Sequence, residues 1–488
     1  MKKIGTLAAS LALMTGVLAA CGGNSNSNQA SPSETSSGSS SASASNSPAA
    51  DPVKFSIMHN QGEYSWPTYE KMVSAFNGQT GNTAELKYIP AEEAVNWLQT
   101  QFIGHSEPEI VSGTTTEKLI EAYKNGWIVD LLPYLDEISP YTNKPWKDSF
   151  LPGLIDSALD KTDANNPHLY GIPNQVVTVN LYYNKDIFAK IGVTDPPATI
   201  TEFLEVAKKA KDAGYIPFSI QNSMDWNLGW LATDLASYLW RSSVSELDLN
   251  QSGKIELNEW AVAVVQDKVT KDSPQLKEYL RLLSDLVPYF NEGFNSASWE
   301  FEGLFNDGKS AMTLNGSWYP NQYQQGGFKF NYGIAPIPYL DKGYSELGGT
   351  ERYKFKIGST PYFAVTRNAK ENKADSAAVN FLQYMTAPEG GAKLLAEELN
   401  LIPVVQGVDV PEVLKPIMES FGNDEQLSFG ANEFTAEQKD KWFKNQQKYL
   451  AGKMTAEQFL NEFGKDLKKY ANEAIKTHPE WNLEQYLQ

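Results

Sequence analysis

Residues 248–259 read Asp-Leu-Asn-Gln-Ser-Gly-Lys-Ile-Glu-Leu-Asn-Glu. Oxygen-bearing side chains fall at positions 1, 3, 5 and 9 (Asp248, Asn250, Ser252, Glu256), with Gly253 at 6, Ile255 at 8 and Glu259 at 12. A calcium ion needs six or more oxygens from a loop that can turn sharply, and this spacing, with the Lys254 carbonyl at position 7, fits an EF-hand loop. Because one loop stands alone, the ion expected here is structural. The same acids also suit a polar loop that caps the helix after it. Other chemistry is harder to find. Gly303 to Ser310 spells G-x-x-x-x-G-K-S, but a phosphate-cradling loop runs from strand to helix. Here the pattern before it is helical and Ala311–Leu314 after it is extended, so nucleotide binding is rejected. Four scattered histidines (His59, His105, His168, His478) and a single Cys leave no zinc set. No catalytic motif is present.

The elements that must carry these residues come from a chain of 488 residues, long enough for two or three packed units. Its net charge of −18 excludes a phosphate-reading surface, so no nucleic-acid partner is expected. Lys2 and Lys3 precede an uncharged stretch, Ile4–Ala20, too short to span a bilayer and read as a signal peptide over 1–20. It ends in Leu18-Ala19-Ala20-Cys21, which resembles the bacterial lipobox. That resemblance implies lipidation of Cys21 and anchoring to the outer face of the cell membrane. Residues 22–50 hold 12 Ser and one charge, Glu34. They cannot offset the entropy of ordering, so 21–50 is a tether with a reach of roughly 30 Å.

From Asp51 onward, short extended runs alternate with helical periods. Val53–Met58 reads as a strand, and Ser65–Asn77, Glu92–Ile103 and Glu117–Gly126 as helices. Thr199–Gly214 reads as a helix capped by Thr201 and stopped by Gly214, and Leu228–Leu239 and Asn258–Val269 flank the candidate ion loop. The region from Ala374 to Tyr486 is mostly helical. This alternation predicts an α/β fold with largely parallel sheets.

Three groups of segments carry a family resemblance. The first is Tyr170-Gly-Ile-Pro173, Leu181-Tyr-Tyr-Asn-Lys185-Asp-Ile-Phe188, Gly192, Pro197 and Gly214-Tyr-Ile-Pro217. The second runs Leu304–Met312 into Asn315-Gly-Ser-Trp318, and the third joins Phe363-Ala-Val365, Ala377–Met385, Pro388-Glu-Gly390 and Leu401-Ile-Pro403. Together they resemble the large solute-binding lipoproteins of carbohydrate ABC transporters, the maltose-binding protein superfamily. The chain departs from that pattern at Asn174, Gln175 and Asn180. The resemblance implies a two-lobed, periplasmic-binding-protein-like fold with a ligand cleft between the lobes. Lobe 1 is then expected over 51–174 with about 345–400, and lobe 2 over 175–344 with about 401–488. Crossovers are expected near Gln175, Lys356–Thr360 and Leu401–Val404.

A sugar offers flat apolar faces rimmed by hydroxyls, so its receptor needs aromatic platforms beside amides and carboxylates. Trp318, after a Gly-Ser turn at a strand end, is the first candidate. Asp225-Trp226-Asn227 packs a carboxylate, a platform and an amide into three positions; neighbouring Trp230 reads as helix core. Glu63 and Tyr64 after the first strand, Thr114 at a similar strand end, Gln175 and Trp299 complete the set. Only four Arg are present, which favours a neutral oligosaccharide and leaves a uronic one open. The partners implied are ABC permease subunits, with the receptor itself a monomer. Two other readings stand beside this one: a lipid-anchored glycoside hydrolase or lyase, which needs paired carboxylates about 5–10 Å apart, and a ligand-binding partner of a sensor kinase.

Overall fold

The computed structural model describes residues 52–487 apart from 61, 115, 161–165, 225, 297–299, 323–327, 357, 360–361, 428 and 430–432. Cys21, Asp225 and Trp299 therefore lie outside the described residues. Eleven strands occur among them: β1 Lys54–His59, β2 Thr83–Tyr88, β3 Ile110–Thr114, β4 Ile172–Pro173, β5 Val176–Val177, β6 Val179–Asn184, β7 Ile216–Ser219, β8 Ser310–Gly316, β9 Tyr332–Pro336, β10 Gly358–Ser359 and β11 Tyr362–Val365. They form a five-stranded sheet ordered β2-β1-β3-β11-β4, a four-stranded sheet ordered β7-β8-β6-β9, and the pair β10-β5.

Helices cover these sheets because their apolar residues recur at helical spacing. In the helix Gly62–Thr80, Tyr69, Met72, Val73 and Phe76 are buried, the i, i+3, i+4, i+7 stripe of one face. This helix connects β1 to β2, which pair in parallel from Lys54↔Thr83 to His59↔Tyr88. The helix Ile200–Asp212 buries Ile200, Phe203, Val206, Ala207 and Ala210. Its cap is Thr199, not Thr201: the Thr199 hydroxyl accepts from Glu202 N, and the Glu202 carboxylate reaches back to Thr199 N. Thr201 lies inside the first turn, where its hydroxyl donates to Asp341 at 2.7 Å. Among the described residues, no helix is long and apolar enough to cross a membrane.

The sheets are mixed rather than largely parallel. β1, β2 and β3 run parallel, as do β7 and β8, but β11 is antiparallel to β3 and β4, and β6 is antiparallel to β8 and β9. The antiparallel members β6 and β11 enter their sheets directly from the paired strands β5 and β10, not through a covering helix, so nothing forces them parallel.

Among the described residues, passage between the sheets occurs in three places. The chain leaves the first sheet after β4 and enters the second at β6, and β5 between them pairs with β10 on the way back to β11. Residues 345–353 stay with the second sheet, because Gly349 N donates to Leu340 O and Leu347 and Tyr353 pack in that core. Residues 402–406 stay with the first: Val176 N and Leu151 N donate to Ile402 O and Val404 O. The chain meets β9 along Glu412–Leu414 and Lys415–Met418, after which Gly422 N donates to Phe355 O. Beside the lobe edges expected at about 345 and 401, residues 345–353 pack with the second core and Ile402 pairs with Val176 of β5.

Candidate functional site

β8 is buried along all seven residues and ends at Gly316. A Cβ at Gly316 would lie 2.3 Å from the Trp318 ring, so glycine is what lets the indole fold back over the strand end. Trp318 is half-buried there and meets Trp230 edge-on, with ring centroids 5.9 Å apart. The ring centroid of Trp226 also lies 4.7 Å from that of Trp230. Two of the residues singled out from the sequence are therefore joined through a third that was read as core.

Trp230 belongs to the helix Asn227–Leu239, and the four-residue spacing of Trp230, Asp234 and Tyr238 puts all three on one face. That face, with Trp318, borders a cavity of about 430 Å³ that Arg352 and Tyr353 also line. Asp234 is 8 % exposed and its Oδ2 makes no hydrogen bond. Burial pushes its carboxyl up to about 7, with the Arg352 charge opposing. Arg352 donates to Ile337 O and, at 3.0 Å, to Ala198 O. Burial pulls the Arg352 guanidinium below its ordinary value, with Asp234 opposing. Sequence reading missed Asp234 and Tyr238; their spacing from Trp230 was the available signal.

Asn227 is corrected. It is fully buried, its Oδ1 accepts from Gln221 N at 2.9 Å and its Nδ2 donates to Leu314 O at 2.9 Å. Both ends of the amide are used in pinning the helix start between the ends of β7 and β8, so it offers a ligand nothing.

On the first sheet, His59 ends β1 with its Nε2 2.9 Å from Ser65 Oγ and its ring 4.0 Å from that of Tyr69. Burial pulls His59 down to about 3, so it is a neutral packing group. Tyr64 is half-buried and burial pushes its hydroxyl up to about 12. Gln175 is buried between β4 and β5, with Oε1 unpaired. Neither Tyr64 nor Gln175 borders the cavity at Trp318. Glu63 is the second residue of its helix and Thr114 ends β3; their side chains lie outside what is described.

In the loop 248–259, Gly253 takes φ +87° and Gln251 φ +59°. Ser252 N donates to both Asp248 Oδ1 at 3.0 Å and Asn250 Oδ1 at 2.9 Å, which brings those oxygens together. Lys254 N lies 3.4 Å from Ser252 Oγ, and Glu256 accepts from Asn250 Nδ2 at 3.1 Å. Glu259 faces the backbone instead: it accepts from Leu249 N, Asn250 N and Glu256 N at 2.6, 3.1 and 2.8 Å. Among the described residues, no three His, Cys, Asp or Glu side chains converge as a metal site. The donors fit a hard cation by type, while Glu259 serves as a cap.

Residues 71–419 match the family described as bacterial extracellular solute-binding protein. The chain belongs to that family. An uncharacterized ABC transporter extracellular-binding protein of Pyrococcus horikoshii is 31% identical over 179 residues, 36% of this chain and 37% of that protein. An sn-glycerol-3-phosphate-binding periplasmic protein of Brucella abortus is 28% identical over 197 residues, 40% of this chain and 41% of its own. These matches span well under half of each relative. Among solved structures, a chitin oligosaccharide binding protein superposes with a TM-score of 0.61 at 20% identity, over 86% of this chain and 99% of that one. A maltose-bound protein of T. maritima gives 0.62 at 18% identity, over 86% and 99%. At such identity the likeness establishes the two-lobed fold. The cavity beside Trp318 adjoins the passage between the two sheets, where Val177, Val179 and Gly358 border it.

Proposed function

We propose that this protein is a lipid-anchored receptor that binds a neutral oligosaccharide between its lobes and delivers it to an ABC importer. The observation that carries this reading is the cavity walled by Trp318 and Trp230 and edged by Asp234 and Arg352. Flat indoles suit the apolar faces of a pyranose, and a fixed acceptor and donor suit its hydroxyls. The sugar ligands named for the chitin oligosaccharide and maltose-bound structures support the ligand class. The Pyrococcus relative, an ABC transporter extracellular-binding protein, supports the transporter partner. Among the described residues bordering the cavity, Asp234 is the one carboxylate, whereas glycoside hydrolysis needs two.

The anchor is Cys21, on the strength of Leu18-Ala19-Ala20-Cys21, and the receptor acts as a monomer. One structural calcium ion would be held in the loop 248–259 by Asp248, Asn250, Ser252, the Lys254 carbonyl, Glu256 and Glu259, and would supply a cross-link between the two ends of the loop. Thermal unfolding of the full chain with neutral and uronic oligosaccharides, in calcium and in chelator, tests the reading. A ligand at 100 times its Kd adds about 2.7 kcal/mol. A shift with neutral sugars, and their recovery intact, supports a receptor; recovery of cleaved sugar would replace it with an enzyme.

A further inference from the structure

A methionine thioether is open to two-electron oxidation where solvent reaches it, and burial in a core protects it. Of the described methionines, Met58, Met72, Met312 and Met385 are fully buried, and Met418 and Met454 pack against the two cores. Met224 differs from all six. It is 38 % exposed and belongs to neither core. Its sulfur is also engaged, because Trp226 Nε1 donates to Met224 Sδ at 3.2 Å. That indole begins a row of rings: centroid to centroid, Trp226 lies 4.7 Å from Trp230 and Trp230 lies 5.9 Å from Trp318. Trp230 and Trp318 border the cavity, whereas Met224 and Trp226 stand behind them.

The backbone on either side of this contact is held in place. Asn222, two residues before Met224, donates from Nδ2 to Asn295 Oδ1 at 2.8 Å and accepts from Gln446 Nε2 at 3.0 Å. Its carbonyl accepts from Gln447 Nε2 at 2.8 Å. On the other side, Trp230 N donates to Trp226 O at 2.9 Å. A change at the sulfur therefore falls on the two side chains rather than on the loop.

We propose that Met224 is a modification site, oxidised to the sulfoxide by hydrogen peroxide outside the cell, and that the product displaces the Trp226 ring. A sulfur lone pair attacks one peroxide oxygen, the S–O bond forms as the O–O bond breaks, and the second oxygen leaves with both protons as water. Sulfur gives up two electrons and the peroxide takes them. The contact with Trp226 survives neither outcome. An oxygen added on the lone pair that faces the indole has no room within 3.2 Å, so the ring retreats to a hydrogen bond of ordinary length. An oxygen added on the other lone pair leaves a poorer acceptor at sulfur and draws the indole N–H round to itself. Either way a polar group replaces an apolar one beside the row of indoles. Resting on the receptor reading above, movement of Trp226 carries through Trp230 to the cavity wall and weakens sugar binding.

The test exposes the full chain to millimolar hydrogen peroxide and maps the added oxygen on peptides by mass spectrometry at intervals. Met224 is expected to gain one oxygen roughly tenfold faster than each of the other six methionines named above, in step with a shift in tryptophan emission. Methionine sulfoxide reductases for both epimers are expected to restore the emission. Met224→Leu keeps the apolar bulk and is expected to hold its emission through the same treatment. Maltotriose, raffinose and chitotriose are titrated before and after oxidation. The preferred sugar is expected to bind about threefold more weakly to oxidised wild type, with no change for Met224→Leu. Oxygen arriving as fast on any of the other six overturns the site. Oxygen on Met224 with unchanged emission overturns the displacement of Trp226, and a shifted emission with unchanged affinity overturns the link to binding. Untreated wild type that binds none of these sugars sinks the receptor reading, while the mass map and the emission still decide the modification.

Discussion

The Tyr238 hydroxyl accepts a hydrogen bond from Tyr353 N at 3.0 Å while the two rings stack with centroids 4.6 Å apart. One side chain thus fastens the helix Asn227–Leu239 to the strand-like segment that returns toward the first sheet. Tyr238→Phe keeps the stack and strands the Tyr353 N–H. A loss of about 1–2 kcal/mol is expected in urea unfolding; no loss would mean that water replaces the hydroxyl.

Trp318 supplies a flat face and little else, since it is half-buried at a strand end. Trp318→Ala is expected to lower affinity for the preferred neutral trisaccharide about tenfold, equal to ~1.4 kcal/mol. Calorimetric titration reads this directly. Affinity within twofold of wild type would remove Trp318 from the ligand wall.

Asn227→Ala should do the opposite. It leaves Gln221 N and Leu314 O buried without partners, at a cost of about 2–4 kcal/mol in stability. Affinity of the folded fraction should hold. A variant as stable as wild type that has lost its ligand would return Asn227 to the binding set.

Calcium should raise the unfolding temperature of wild type, and chelator should reverse it. Asp248→Ala and Glu259→Gln are expected to abolish the calcium-dependent part of the shift, read separately from any loss in chelator. Glu259→Gln alone also weakens a cap that holds three N–H groups. A wild type indifferent to millimolar calcium would leave the loop as a capping element and nothing more.

His59 and Asp234 set opposite pH trends. His59 falls from 6.5 to about 3 on folding, so between those values the unfolded chain takes a proton that the folded chain refuses. Stability is lost as pH drops from 6.5 toward 3, by at most about 1.4 kcal/mol per unit. Asp234 rises from 3.8 to about 7, so its contribution is fully present below 3.8 and is lost as pH climbs to 7. Urea midpoints of His59→Gln and Asp234→Asn against wild type, at pH 4, 5.5 and 7.5, separate the two. Parallel profiles for all three proteins would remove both groups from the pH response.

Some of this was written into local sequence. The donor spacing of 248–259, the apolar stripe of Tyr69, Met72, Val73 and Phe76, and the Gly-Ser turn that presents Trp318 each depend on residues a few positions apart. Periodicity and turn chemistry report such relations directly. Tertiary structure alone decided the rest. Asn227 looked like a ligand group until its amide met Leu314 O, 87 residues away. Trp230 and Asp234 line a cavity together with Arg352 and Tyr353, more than a hundred residues away. The strands β6 and β11 took antiparallel places because the chain crossed between sheets rather than winding through helices. Sequence spacing carries what neighbours along the chain do to one another. Which distant groups pair, and which buried oxygen is left unpaired, depends on the packing of the whole chain.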